Sequence, residues 1–155
     1  MSEEFVNRWS VLYHNADKGW NESAYNKVYT IKNARDFWNL FNNWSSFHNN
    51  RFFIMKNDII PLWENKENKN GGSWSYEVNK ENVKDLWQDL SMYLVCEELL
   101  KYPNEVNGIS LYLKKNNKYI IKIWNNNSSN NKLKMINENV LQKWGLDIIY
   151  MINNS

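Results

Sequence analysis

The stretch Pro61-Leu62-Trp63-Glu64-Asn65-Lys66-Glu67-Asn68-Lys69-Asn70-Gly71-Gly72-Ser73-Trp74 is a polar loop in which a tryptophan is followed at once by a carboxylate. Core packing does not easily account for an indole in such surroundings, because connecting segments run over the surface and carry binding residues more often than elements do. Gly71-Gly72 reads as the turn into a strand at Trp74. The pair lacks the Gly-Lys-Ser/Thr ending of a phosphate-cradling loop, and that chemistry is excluded. Trp20 is a second tryptophan of this kind, standing in the polar stretch His14 to Ser23 just after Lys18-Gly19. A loop tryptophan also serves as a lid on a core, and residue physics alone leaves both readings open at each position.

Outward from this loop, periodicity predicts strands near Trp9 to His14, Lys27 to Ile31, Phe52 to Met55, Ser73 to Val78, Ile109 to Lys114, Lys118 to Trp124 and Leu146 to Ile152. Three helical segments interrupt them. Asn33 is suited to cap a helix whose apolar residues Ala34, Phe37, Trp38 and Phe41 fall at helical spacing. A longer helix starts at about Asn82, carries Val83, Leu86, Trp87, Leu90 and Leu94 on one stripe, and ends before Pro103. The third takes in Leu133, Ile136, Val140, Leu141 and Trp144, with Gly145 as its stop. Lys114 to Lys122 reads as a hairpin turning at Asn116-Asn117, since Asn tolerates the positive φ of tight turns. An antiparallel α+β sheet with helices on one face assembles these parts and leaves the other face free for a ligand.

The length, 155 residues, suits one domain spanning 1–155. Nine Trp, nine Tyr and six Phe argue against disorder, because such residues supply the burial that disordered chains lack. The 29 Asn are scattered through loops and are read as a compositional bias rather than a mechanism. The N-terminal residues carry no basic region followed by an apolar run, and a soluble intracellular, cytoplasmic protein with no membrane partner is expected. Cys96 stands alone, which excludes an intramolecular disulfide or a Cys-rich zinc site. Val106 to Asn137 holds six lysines and no acid, whereas the remaining chain has thirteen basic and seventeen acidic side chains. One local basic surface for an anionic ligand follows.

Enzymatic chemistry is poorly supported. The two histidines, His14 and His48, lie at no metal-ligand spacing, and no Gly-x-Ser-x-Gly elbow occurs. Acidic pairs such as Asp85/Asp89 and Glu97/Glu98 read as solvated helix positions. No catalytic residue, metal or cofactor is expected.

Pro61-Leu62-Trp63-Glu64 followed by Asn68-Lys69-Asn70-Gly71-Gly72-Ser73-Trp74 resembles the signature of the eukaryotic translation initiation factor 4E family, the mRNA cap-binding proteins. Asn7-Arg8-Trp9 resembles the start of the family's first strand, Asp17-Lys18-Gly19-Trp20 its first cap-stacking loop, and Asp36-Phe37-Trp38-Asn39-Leu40-Phe41 its first dorsal helix. Leu86-Trp87, Ile121-Lys122-Ile123-Trp124 and Trp144-Gly145-Leu146 continue the order, so the resemblance spans residues 5 to 152. It suits a short, divergent member of viral or parasite type.

The resemblance implies a curved antiparallel sheet of about eight strands, three helices on its convex back and a slot for 7-methylguanosine on its concave side. Trp20 and Trp63 would sandwich the base. Glu64 would accept hydrogen bonds from N1–H and the exocyclic amine, the Trp63 backbone N–H would meet the base oxygen, and Trp124 would flank the methyl group. Lys114, Lys118 and Lys122 would meet the phosphates, as point charges where the family's hairpin offers an Arg and a Lys. Capped mRNA is the expected partner. Trp38, with Met92, would form the only sizeable exposed apolar patch on the back, open to a 4G-like scaffold or 4E-binding peptide.

The chain departs from the family pattern at several positions. Ser73 replaces a basic residue after Gly-Gly, Glu3-Glu4-Phe5 stands for His-Pro-Leu, and Ala34 stands for a Val. Gln88 and Met92 stand where Leu is usual, and little chain follows the last strand to cover a second nucleotide. The expected role is cap binding in translation initiation. Its rivals are a cap-binding repressor and an aromatic groove for carbohydrate or another nucleotide. A decapping hydrolase would need an acidic metal cluster that the sequence lacks.

Overall fold

The computed structural model describes residues 3–14, 19–44, 51–114 and 116–153. Asp17, Lys18 and His48, noted in the sequence, lie outside the described residues. The elements in chain order are β1 (Glu4–His14), β2 (Tyr25–Asn33), α1 (Ala34–Asn42), β3 (Arg51–Lys56), β4 (Gly72–Val78), α2 (Lys80–Val95), β5 (Val106–Leu113), β6 (Tyr119–Asn125), α3 (Glu138–Trp144) and β7 (Ile148–Ile152). All seven strands join one curved sheet in the order β2-β1-β3-β5-β6-β4-β7, and every pairing is antiparallel. The seven runs of strand periodicity each correspond to one of these strands, one fewer than the eight or so that the family resemblance implies.

Alternation along each strand sends one set of side chains to each face. Trp9, Val11, Ile54, Ile109, Ile121 and Ile123 enter the main core, where they meet Phe37 and Phe41 of α1, Val83, Leu86, Trp87, Leu90 and Leu94 of α2, and Val140 of α3. Their neighbours in sequence point the other way: Leu12, Phe53 and Met55 form a second, smaller cluster with Tyr25, Ile59 and Trp124. The helices therefore cover one face, and the opposite face carries a thin apolar floor. Among the described residues no helix is long and apolar enough to cross a membrane.

Local signals account for the helix ends. The Asn33 side chain accepts from the Asp36 N–H at 2.9 Å, and the Asp36 carboxylate accepts from the Lys32 N–H at 2.9 Å. The first bond satisfies a donor that the first turn leaves free, and the second ties that turn to the end of β2. The expected stripe of α2 is buried in full, and the helix begins two residues before Asn82. The third helix is shorter than its apolar pattern predicts. Leu133–Met135 forms a 3-10 turn, and Ile136 bridges to Leu100 instead of continuing a helix. The reason lies in the preceding chain: the Lys101 N–H donates to Met135 O at 2.7 Å and the Asn137 N–H to Leu99 O at 2.9 Å, so this segment is tied alongside residues 99–101. Asn137 then caps α3 by accepting from the Asn139 N–H at 2.8 Å, and Gly145 ends the helix with φ 92°.

The hairpin between β5 and β6 closes with the Lys114 N–H donating to Lys118 O at 2.7 Å, and the positive φ falls on Asn117, at 64°. At the other end of β6, the Gly71-Gly72 turn has a steric cause. A Cβ at Gly71 would fall on the carbonyl oxygen of Asn125, and one at Gly72 on the carbonyl oxygen of Met151. The two glycines let β4 start between β6 and β7. Gly71→Ala is expected to destabilise the protein by about 1–3 kcal/mol, because a backbone carbonyl has to move to admit the methyl group. Urea unfolding checks it, and a midpoint equal to wild type would show that the turn relaxes freely.

Candidate ligand site

The open face of the sheet holds a cavity of about 470 Å³. Its walls come from two loops and its floor from strands. Trp20, in the β1–β2 connection, and Trp63, in the β3–β4 connection, both line it, and they are 59% and 54% exposed. Large indoles left in water on the rims of one cavity are poorly explained by packing. Glu64, Trp124 and Lys122 line the same space, so five of the residues singled out in the sequence converge.

Each wall has its own support. Trp20 stacks on His14 with ring centroids 4.2 Å apart and planes 14° from parallel, and His14 Nε2 lies 2.6 Å from Gly19 O. His14 is thereby buried under the indole, with Tyr25 on another side at 5.0 Å. The Trp63 loop is organised by Asn68, whose side chain is fully buried. Its Nδ2 donates to Ile60 O at 2.9 Å and Leu62 O at 2.8 Å, and its Oδ1 accepts from Asn107 Nδ2 at 2.8 Å. Leu62 is buried by this arrangement while the next side chain, Trp63, is turned outward. In the floor, Trp124 Nε1 donates to Ser110 Oγ at 3.0 Å and its ring meets the Phe53 ring edge-on at 6.4 Å.

The charges in the cavity are unevenly shared. Burial pushes the Tyr25 phenol up to about 12, with the nearby Glu64 carboxylate adding to the shift and Arg51 opposing it. Tyr25 therefore stays neutral, with an acid and a cation both close by. Lys122 is held below the ordinary lysine range, first by burial and then by Arg51. Lys114 and Lys118 belong to the hairpin end and do not line the cavity. Lys114 Nζ pairs with Glu77 at 3.2 Å, and Lys118 Nζ donates to the Asn79 side chain. Among the described residues no group of three or more His, Cys, Asp or Glu gathers as a metal site would.

On the helical side, Trp38 is 42% exposed and rests edge-on against Phe37 at 5.0 Å. Met92 lines a different depression, between α2 and α3, with Tyr93, Val140 and Trp144. The expectation of a single apolar patch on the back is therefore corrected. Val28, Leu40, Trp44 and Phe52 border a further apolar depression beside α1, because α1 covers only part of the sheet near β1, β2 and β3.

Several cavity residues escaped the sequence reading. Arg51 precedes the strand expected from Phe52, and its place two residues before Phe53 puts it on the open face. His14 reads as an ordinary strand histidine, and only the Trp20 loop folding back gives it a role. Ser110, Tyr112 and Met151 carry no motif. Their strand parity was the one available signal.

The model of the family described as Eukaryotic initiation factor 4E matches residues 4–152. The chain belongs to this family. It is a family of initiation factors rather than of enzymes. The eukaryotic translation initiation factor 4E of Candida albicans is 28% identical over 144 residues, an alignment that covers 84% of this chain and 68% of the relative. The chain spans smaller shares, 45–58%, of three further curated relatives. Among solved structures, C. elegans eIF4E-3 in complex with the 4E-binding protein Mextli superposes with a TM-score of 0.84 at 22% identity, covering 99% of this chain and 95% of that one. Ascaris suum eIF4E-3 in complex with the m7G cap gives 0.83 at 20% identity, covering 98% and 92%. At such identities these structures establish the 4E fold.

Proposed function

We propose that this member of the 4E family binds the 7-methylguanosine 5′ cap of mRNA in the open-face cavity and acts in translation initiation. The observation that carries the reading is the pairing of two mostly exposed indoles, Trp20 and Trp63, on the rims of one cavity that also holds a carboxylate, Glu64. Methylation at N7 leaves guanine with a delocalised positive charge. An indole face attracts such a cation by roughly 2 kcal/mol when the pair is desolvated. Glu64 accepts from N1–H and the exocyclic amine in charge-assisted hydrogen bonds, and the Trp63 backbone N–H donates to the base oxygen. Trp124, its indole fixed by Ser110, flanks the methyl group. The phosphates extend toward Lys122, and Lys114 and Lys118 join them only by giving up Glu77 and Asn79.

The back of the sheet takes a 4E-binding peptide or 4G-like scaffold at Trp38, as an amphipathic helix laid on an apolar surface. The complex of the C. elegans relative with Mextli supports a protein partner of this kind.

Trp63→Ala should weaken binding of a 7-methyl-GTP ligand by about thirtyfold, and Glu64→Gln by about tenfold, while melting temperatures stay near wild type. Titration calorimetry checks both, and retention of wild-type affinity by either variant removes that residue from the site. On the back, Trp38→Ala should abolish pull-down of an amphipathic 4E-binding peptide while cap affinity is unchanged. Undiminished pull-down by a folded Trp38→Ala protein rules the dorsal assignment out.

A further inference from the structure

The cavity contains a cation that the hairpin does not supply. Arg51 opens β3, opposite His14 of β1, and its side chain reaches the open face. Its guanidinium carbon lies 4.4 Å from the centroid of Tyr112 and 4.9 Å from that of Trp20. Lys122 of β6 approaches the same tyrosine, with Nζ 5.9 Å from the ring centroid. Two cations thus share one aromatic ring inside one cavity.

Among the described residues no ion pair neutralises them. The three salt bridges among the described residues join Lys27 to Asp58, Lys114 to Glu77 and Lys143 to Asp89, and none includes Arg51 or Lys122. The one carboxylate that lines the cavity, Glu64, lies beyond salt-bridge distance of both. Burial first, and then the neighbouring Arg51, pull the Lys122 ammonium down from its ordinary range. The tyrosine face offsets part of this cost, but a π face does not replace a full negative charge. The hairpin lysines are in the opposite state, already engaged by Glu77 and Asn79.

We propose that Arg51 and Lys122, gathered around Tyr112, form the anion site of the cavity and take the oligophosphate of a nucleotide. Arg51 offers a planar fork that matches phosphate oxygens two at a time, and Lys122 adds a point charge. Because the same guanidinium touches Trp20, the anion site and the stacking wall share a side chain. The ligand's identity as a cap rests on the reading above. The anion site does not.

Inorganic tripolyphosphate, which has no base, is the probe. Titration calorimetry at low salt should give wild-type binding that weakens as salt rises. Arg51→Gln should lose at least about tenfold and Lys122→Gln about three- to tenfold, whereas the Lys114→Gln/Lys118→Gln double variant should stay within about twofold. Near-UV circular dichroism establishes that each variant is folded. Arg51→Lys, which keeps the charge without the fork, should fall between wild type and Arg51→Gln, and it decides the matter if the Gln variant does not fold. The assignment is overturned if wild type does not bind tripolyphosphate, if the folded Arg51 variants bind like wild type, or if the hairpin double variant loses as much as Arg51→Gln. Binding of tripolyphosphate through Arg51 without any preference for 7-methyl-GTP over GTP would keep the anion site and end the cap reading alone.

Discussion

The register of β6 is the constraint on which both faces of the molecule depend. This strand pairs with β5 on one side and β4 on the other, and its residues alternate between two tasks. Ile121 and Ile123 fill the core beneath α2, while Lys122 and Trp124 enter the cavity. A slip of one residue would exchange the sets, burying a lysine and an indole N–H in the core and turning isoleucines to solvent. The apolar requirement of the helical side therefore fixes which cation and which indole the ligand side presents. Glycines at the start of β4 and a positive-φ asparagine in the β5–β6 turn lock the register from its two ends.

Side-chain amides carry the loops. Asn68, Asn107 and Asn125 are almost wholly buried, and each satisfies backbone groups that a loop leaves unpaired. Asn125 accepts from the Gly72 N–H at 3.0 Å and donates to Asn127 O and Asn130 O, so it ties β4 to the turn after β6. Asn68 does the same for the Trp63 loop, and Asn153 Nδ2 donates to Asn68 O at 3.0 Å from the far edge of the sheet. The abundance of Asn thus includes structural positions as well as compositional bias. A buried amide that meets several carbonyls costs little, whereas its loss leaves those carbonyls without partners.

What was legible in the sequence followed periodicity. Strand alternation and the α2 stripe gave the sheet and its covered face, and Asn33 and Gly145 marked helix ends that the structure has. Trp63 and Trp20 stood out because an indole in a polar loop lacks a packing reason, and both border the cavity. The third helix was over-extended because Leu133 and Ile136 fit a helical spacing, but a long-range tie to residues 99–101 held them out of it. Arg51, His14 and Tyr112 were not legible. Their meeting depends on which strands become neighbours in the β1-β3-β5 order, a property no local pattern encodes. The hairpin lysines were placed by the family resemblance, and Glu77 and Asn79, in β4 and just after it, which engage two of them, belong to the same non-local information.

The central claim is that the cavity recognises a positively charged purine. Intrinsic tryptophan fluorescence of the wild-type protein, titrated in parallel with 7-methyl-GTP and GTP at one salt concentration, tests it most directly, since the two ligands differ by the methyl group and the charge it brings. If each indole and the carboxylate contribute roughly 1 kcal/mol more to the cation, the methylated nucleotide should bind about a hundredfold more tightly and quench more strongly at saturation. Equal affinities for the two nucleotides would contradict the account, whatever the fold.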